Sequence, residues 1–195
     1  MTQANTRFNS LEEYIEYDNR TDFHYELVDG ALIEMPPERP INRKIASFLF
    51  AAFLRLGLSP NLIAIGTQIA ITSRKVTARE PDFVVLSEEC AIALDNAKSD
   101  IILSEMPAPA LVVEVVSPGN PGSQNYDRDY VEKPREYAAR GILEFWQIDP
   151  SRAVVNVLSL ENGIYQSHSF RGRERVVSPA FPDLQLTAEQ ILQAG

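Results

Sequence analysis

A glutamate stands inside the run Leu111-Val112-Val113-Glu114-Val115-Val116, and it needs an explanation that its neighbours do not. A β-branched apolar run of this kind suits a strand buried on both faces. A carboxylate placed there without a partner costs several kcal/mol, or takes up a proton and becomes neutral. Glu114 either faces water from an edge strand or serves a site, and the apolar residues on both sides favour a site. Asp82 is the second candidate: it follows Pro81 and opens Phe83-Val84-Val85-Leu86, so its carboxylate could project from the start of a strand into a cleft. Pro-Asp is also ordinary turn chemistry, which would account for Asp82 taken alone. Taken together, two carboxylates from neighbouring strands can share a divalent cation with water and a substrate phosphate. If they converge without compensating charge, at least one of their pKa values should be raised.

These carboxylates need elements to hold them. The Glu114 run follows Pro109-Ala110 and ends in Ser117-Pro118-Gly119-Asn120-Pro121-Gly122, a loop by its turn residues. A helix is predicted within Tyr130–Arg140, with Gly141 as its C′ residue, and a buried strand over Leu143–Ile148. Strand, helix and strand imply a parallel pair with Glu114 on the first member. Upstream, Ser10 caps a short helix over Leu11–Asp18. Asp29-Gly30 joins His24–Val28 to Ala31–Met35 as a hairpin. Ile45, Phe48, Leu49, Ala52, Phe53 and Leu56 recur at helical spacing within Ile41–Leu56, closed by Gly57. Leu62–Ile71 reads as one strand paired with Asp82–Leu86 across Ser73-Arg74-Lys75, while Ala91–Met106 gives no clear signal beyond room for a short helix and a connection. Ala153–Leu160 and Ile164–Phe170 form a second hairpin, and Thr187 caps a closing helix within Leu186–Leu192. The class is α/β in the broad sense (α+β): a mixed β-sheet flanked by helices, with N-terminal and C-terminal hairpins.

The 195 residues suit a single domain over 1–195, with its core at about 20–150 and the C-terminal hairpin and helix over 151–195. Hydrophobic residues make up 45% of the chain, enough for a core. No apolar run is long enough to span a bilayer, the N-terminus carries no leader pattern, and Cys90 is alone, so a cytoplasmic location is expected. His24 and His168 lack ligand spacing, and there is no Gly-rich phosphate loop, nucleophile elbow or zinc motif. The net charge of −9 argues against non-specific binding to DNA, which needs clustered cations. It leaves a metal-dependent site open, because a bound cation neutralises its carboxylates. Arg74, Lys75, Arg79, Arg128, Arg135 and Arg140 could form a phosphate-facing rim or simply be solvated.

Lys133 and Tyr137 are four residues apart and share one helix face; alone, Lys133 reads equally as a solvent lysine. The wider pattern is more telling. Tyr25-Glu26-Leu27-Val28-Asp29-Gly30, Pro81-Asp82, Glu114 followed by Ser117-Pro118, then Asp129, Lys133, Tyr137, Gly141, Glu144, Trp146 and Asp149 occur in order. This set resembles the restriction endonuclease family of the Uma-two type, within the PD-(D/E)XK nuclease superfamily, from about Tyr25 to Pro150. The resemblance implies a restriction-endonuclease-like fold and an endonuclease that hydrolyses phosphodiester bonds of nucleic acid, with DNA as the first expectation. It implies Mg2+ or Mn2+ held by Asp82 and Glu114, to which the Val115 carbonyl could add a ligand. In the superfamily a lysine stands two residues after the second acid, where this chain has Val116. The family resembles this chain in carrying the lysine on the following helix, which assigns Lys133 to stabilise the hydroxide or the developing phosphorane charge. Pro134 directly after it requires the helix to begin at about Glu132 or the lysine to be displaced. The resemblance also implies Glu26 as a third acidic contributor, although it could be an ordinary strand-face glutamate.

Two other readings compete. A catalytically inactive module of nuclease fold, binding nucleic acid or protein, would suit Val116 and the acidic surface. A glycosidase with paired carboxylates is disfavoured by an aromatic content of 9%. The C-terminal strands offer an edge through which a homodimer could form.

Overall fold

The computed structural model describes residues 6–17, 25–35, 39–71 and 75–194. Helix α1 (Leu11–Ile15) starts under Ser10, whose side chain accepts from the Glu13 N–H. Strands β1 (Tyr25–Val28) and β2 (Ala31–Glu34) pair antiparallel as the expected hairpin. Asp29 and Gly30 both have positive φ, 51° and 78°, as a tight two-residue turn of this hand requires. Gly30 has a second constraint: a Cβ there would lie 2.5 Å from the Phe8 carbonyl oxygen. Gly30→Ala should therefore cost about 1–3 kcal/mol, read from urea unfolding. An unchanged midpoint would show that the turn relaxes freely.

Helix α2 (Pro40–Arg55) buries Ile45, Ala46, Leu49, Ala52 and Phe53, close to the expected stripe, with Phe48 and Leu56 packed at its margin. The expected single strand over Leu62–Ile71 is instead two. A 3-10 turn (Pro60–Leu62) leads into β3 (Ile63–Ala64), the chain bends at Gly66 with φ +83°, and β4 (Gln68–Ile71) follows. Glycine adopts that φ at little steric cost, so the bend can redirect the backbone between sheets. Strand β4 pairs with β5 (Thr77–Arg79), whereas β3 pairs with β6 (Phe83–Val85); Ser73 and Arg74 of the expected turn lie outside the described residues. The segment without a clear signal forms α3 (Glu88–Asp95), capped by Ser87, and β7 (Ile101–Ile102).

Strand β8 (Leu111–Val115) carries Glu114. Helix α4 (Gln124–Asp127), a π-turn (Arg128–Glu132) and α5 (Lys133–Arg140) form one helical segment, longer than the expected helix and closed by Gly141 in the left-handed region. Strands β9 (Glu144–Asp149), β10 (Val154–Glu161) and β11 (Ile164–Phe170) and helix α6 (Ala188–Gln193) complete the chain, with Thr187 in a capping box.

Two mixed sheets result, in the orders β2-β1-β5-β4-β7 and β11-β10-β9-β8-β6-β3. The parallel pair β8–β9 flanks the helical segment, as the strand–helix–strand pattern required. Leu111, Val113 and Val115 of β8 face a core shared with Ile45, Leu49 and Phe53 of α2. Val112 faces the opposite way, into a core with Tyr137, Ile142 and Phe145. Side chains alternate along a strand, so Glu114 points to the side of Val112, which α5 covers.

Candidate active site

That alternation decides what Glu114 meets. Tyr137 packs over β8 from α5, and Lys133 stands one turn earlier on the same helix. Lys133 Nζ lies 2.7 Å from Glu114 Oε2, and the Tyr137 hydroxyl donates to Glu114 Oε1 at 2.6 Å. Both groups are buried, with side-chain exposures of 4% for Lys133 and 5% for Glu114. Pro134 falls in the first turn of α5, directly after the π-turn, where the helical segment does without one backbone N–H donor.

Asp82 immediately precedes β6. The β6–β8 register pairs Phe83 with Val113, so extending it by one residue sets Asp82 opposite Glu114. Directly opposed Cβ atoms on adjacent strands are about 4.5–5.5 Å apart, close enough for the carboxyls to interact. The Asp82 Oδ2 oxygen accepts from the Val115 N–H at 2.7 Å, which fixes its orientation against β8.

Glu26 arrives from the other sheet. The β1–β5 register sets Leu27 against Ala78, which brings Glu26 beside Arg79. Arg79 Nη1 donates to Glu26 Oε2 at 2.9 Å, while Glu26 Oε1 faces Lys133 Nζ at 3.5 Å and has no hydrogen-bond partner. Glu26, Asp82, Glu114, Val115 and Lys133 thus line one cavity of about 460 Å³, together with Arg128 and Asp129.

The electrostatics follow from burial and neighbours. Burial, with Asp82 and Glu26 nearby, pushes the Glu114 carboxyl up to about 7 against the pull of Lys133. For Glu26, burial is outweighed by Lys133 and Arg79, which hold it below the usual carboxylate range. Burial would lower Lys133, but Glu114 and Glu26 keep it above the ordinary lysine value, so its ammonium persists. Among the described residues, no three His, Cys, Asp or Glu side chains are arranged as a ready metal cage. Asp82 and Glu114 line the cavity together with Glu26, Glu80 and Asp129.

The arginines divide differently from the expected rim. Arg79 is 1% exposed and binds Glu26, both Glu136 oxygens at 2.8 Å, and Glu132 at 3.3 Å. Arg140 is buried too, donating to the Leu103 and Met106 carbonyls. Of the group, Arg128 lines the cavity, and Arg74 lies outside the described residues. Arg79 was missed as a site residue; its one local signal is an arginine in a short strand just ahead of Pro81-Asp82. Other members of the motif set are structural. Glu144 accepts from Trp146 Nε1, Ser178 Oγ and the Ala180 N–H, and Asp149 binds Tyr130 and Arg152.

Among the described residues, no helix is long and apolar enough to cross a membrane. No curated protein matches the sequence. A crystal structure of a protein described as "a putative nuclease belonging to DUF820" from Anabaena variabilis has a similar fold, with a TM-score of 0.70. The two are 17% identical over 94% of this chain and 97% of the other. At that identity the likeness concerns the fold. The sequence profile of the Uma2 family, described as "Putative restriction endonuclease", matches residues 11–189. That span runs from the first described helix into the last, and the chain therefore belongs to the Uma2 family.

Proposed function

We propose that this protein is a divalent-metal-dependent endonuclease that hydrolyses phosphodiester bonds of nucleic acid, with DNA favoured by the restriction-type description of its family. The observation that carries this reading is the buried Lys133–Glu114 pair set opposite Asp82 in one cavity.

The donor set fits Mg2+ or Mn2+. A small hard cation uses one or two carboxylates and fills its other positions with water and substrate phosphate, so a three-carboxylate cage is not needed. Burial, with the neighbouring carboxylates Asp82 and Glu26, pushes the Glu114 carboxyl up to about 7 despite Lys133, and a cation shared with Asp82 would favour its ionised form. Asp82 and Glu114 would hold the cation, with the Val115 carbonyl as a further oxygen. Once bound, the metal supplies a water of lowered pKa and polarises the scissile phosphate.

The protein groups do the rest. The Tyr137 hydroxyl and the Lys133 ammonium fix the Glu114 carboxylate in one rotamer. The Val115 N–H does the same for Asp82. Lys133 would set a positive charge against the charge that develops on the phosphate, and burial from water would strengthen its effect. Glu26, tethered by Arg79, keeps Lys133 from swinging out of the cavity.

Two measurements test the reading. Mg2+ or Mn2+ should stabilise the protein by mass action, by about 2.7 kcal/mol at a hundredfold excess over Kd, read as a higher melting temperature, and most of that gain should vanish in Asp82→Ala. Equal shifts in both proteins would place the metal elsewhere. Supercoiled plasmid and RNA should be cut by the wild type with metal and not by Glu114→Ala. The inactive binding-module reading has one observation behind it: Val116, at the usual lysine position, is buried and apolar. Binding of nucleic acid without cutting, in wild type and Glu114→Ala alike, would favour that reading.

A further inference from the structure

The helical segment that carries Lys133 changes pitch just before it. Between α4 and α5 the chain makes one π-turn, in which the Lys133 N–H donates to the Arg128 carbonyl five residues back. On an α-helix, residues five apart are rotated by about 140° and face different ways. Closing the turn around five residues brings them to one side, and Arg128, Asp129 and Lys133 all line the cavity. Single π-turns inside α-helices occur frequently at functional sites. Here the turn is supported from the sheet, since Gln147 Nε2 donates to the Asp129 carbonyl at 2.6 Å.

The Arg128 side chain is held in place. Its Nε donates to Asp129 Oδ1 at 2.8 Å, and Nη2 donates to Ser117 Oγ at 3.1 Å and Asp129 Oδ2 at 3.3 Å. Asp129 Oδ2 also accepts from the Ser117 N–H at 2.9 Å, so the guanidinium is tied to the loop leaving the Glu114 strand. A guanidinium has five donors in one plane, and this clamp sets the plane while using only Nε and Nη2. Lys133 stands between two buried carboxylates, Glu114 and Glu26. Arg128 is 15% exposed and stands at the cavity wall.

We propose that Arg128 is the residue that grips a backbone phosphate of the nucleic acid, its clamped guanidinium presented to the phosphate oxygens beside the Asp82–Glu114 pair. The inference rests on the nuclease reading and adds a substrate contact that the acidic pair and Lys133 do not provide. A planar fork matches phosphate geometry better than an ammonium does. A chain with a net charge of −9 attracts no polyanion at long range, so local cations must hold it.

The test is the salt dependence of binding. Fluorescence anisotropy of a labelled DNA duplex would be followed in chelator from about 50 to about 200 mM salt, in the Asp82→Ala background of the full chain. Adding Arg128→Gln should weaken binding about tenfold and reduce the slope of log K against log salt by about one. Arg128→Lys should keep the slope and lose part of the affinity, and it stays informative if the glutamine variant folds poorly. Arg173→Gln, a change at a residue with a 93% exposed side chain, should leave both quantities alone. Binding by the background protein with a slope unaffected by Arg128→Gln would overturn the arginine assignment and leave the nuclease reading standing. No binding of DNA or RNA by the background or the wild type would sink both.

Discussion

Lys133→Ala is expected to slow nicking of supercoiled plasmid by about 10²–10³, the usual loss when one preorganised electrostatic partner is removed from a water-poor site. The expectation comes from position: the ammonium sits 2.7 Å from Glu114 Oε2 at 4% exposure, so little water screens it. Lys133→Arg should recover only part of the rate, because a planar fork cannot occupy the point charge's place between Glu114 and Glu26. Lys133→Met, which keeps the length of the side chain, separates lost packing from lost charge and should be as slow as the alanine variant. Removing the ammonium also leaves Glu114 and Glu26 without their shared cation, so the variants should melt earlier in chelator and regain part of the loss with Mg2+. Wild-type rates in Lys133→Ala would show the assignment to be wrong and move attention to Arg128.

Arg79→Met is expected to destabilise the protein by about 3–5 kcal/mol, the range for breaking a buried ion pair by removing one partner. Arg79 joins strand β5 to Glu26 on β1 and to Glu132 and Glu136 on the helical segment. Its loss strands Glu26, whose side chain is 2% exposed, with only a distant lysine contact at 3.5 Å. Glu132 is 52% exposed, and Glu132→Gln should change stability by less than about 1 kcal/mol. Urea unfolding of Arg79→Met, Glu26→Gln and the double variant forms a cycle in which the double change should cost less than the sum. A single Arg79→Met within about 1 kcal/mol of wild type would mean that Glu26 is not left as an uncompensated buried charge, and would overturn the expectation.

Much of the frame could be read from local chemistry. Asp29-Gly30 forms its turn because both positions need positive φ, a requirement set within the dipeptide. Gly141 ends α5 and Thr187 opens α6 for equally local reasons, a left-handed C-terminal residue and a side-chain cap. Glu114 stood out because a carboxylate in a buried apolar strand has no local explanation. Its strand being interior, five buried residues paired on both sides, follows from the composition of the run. Lys133 was different: as a residue it was indistinguishable from a solvent lysine, and only the family resemblance singled it out.

Other features depend on residues far apart in the chain. The period of Leu62–Ile71 suits one strand, and it took two sheets competing for its ends to make Gly66 the break between them. Arg79 looks like a rim cation until Glu26, Glu132 and Glu136, each more than fifty residues away, fold around it. The π-turn has no periodicity signal. It forms where Gln147 on β9 holds the Asp129 carbonyl and Pro134 cannot donate an N–H to continue the previous pitch. Turns and caps are settled by φ, ψ and partners within a few residues, so the sequence determined them by itself. The partners of a buried charge are chosen by whichever groups the packed sheets bring together, and only the tertiary structure decided those.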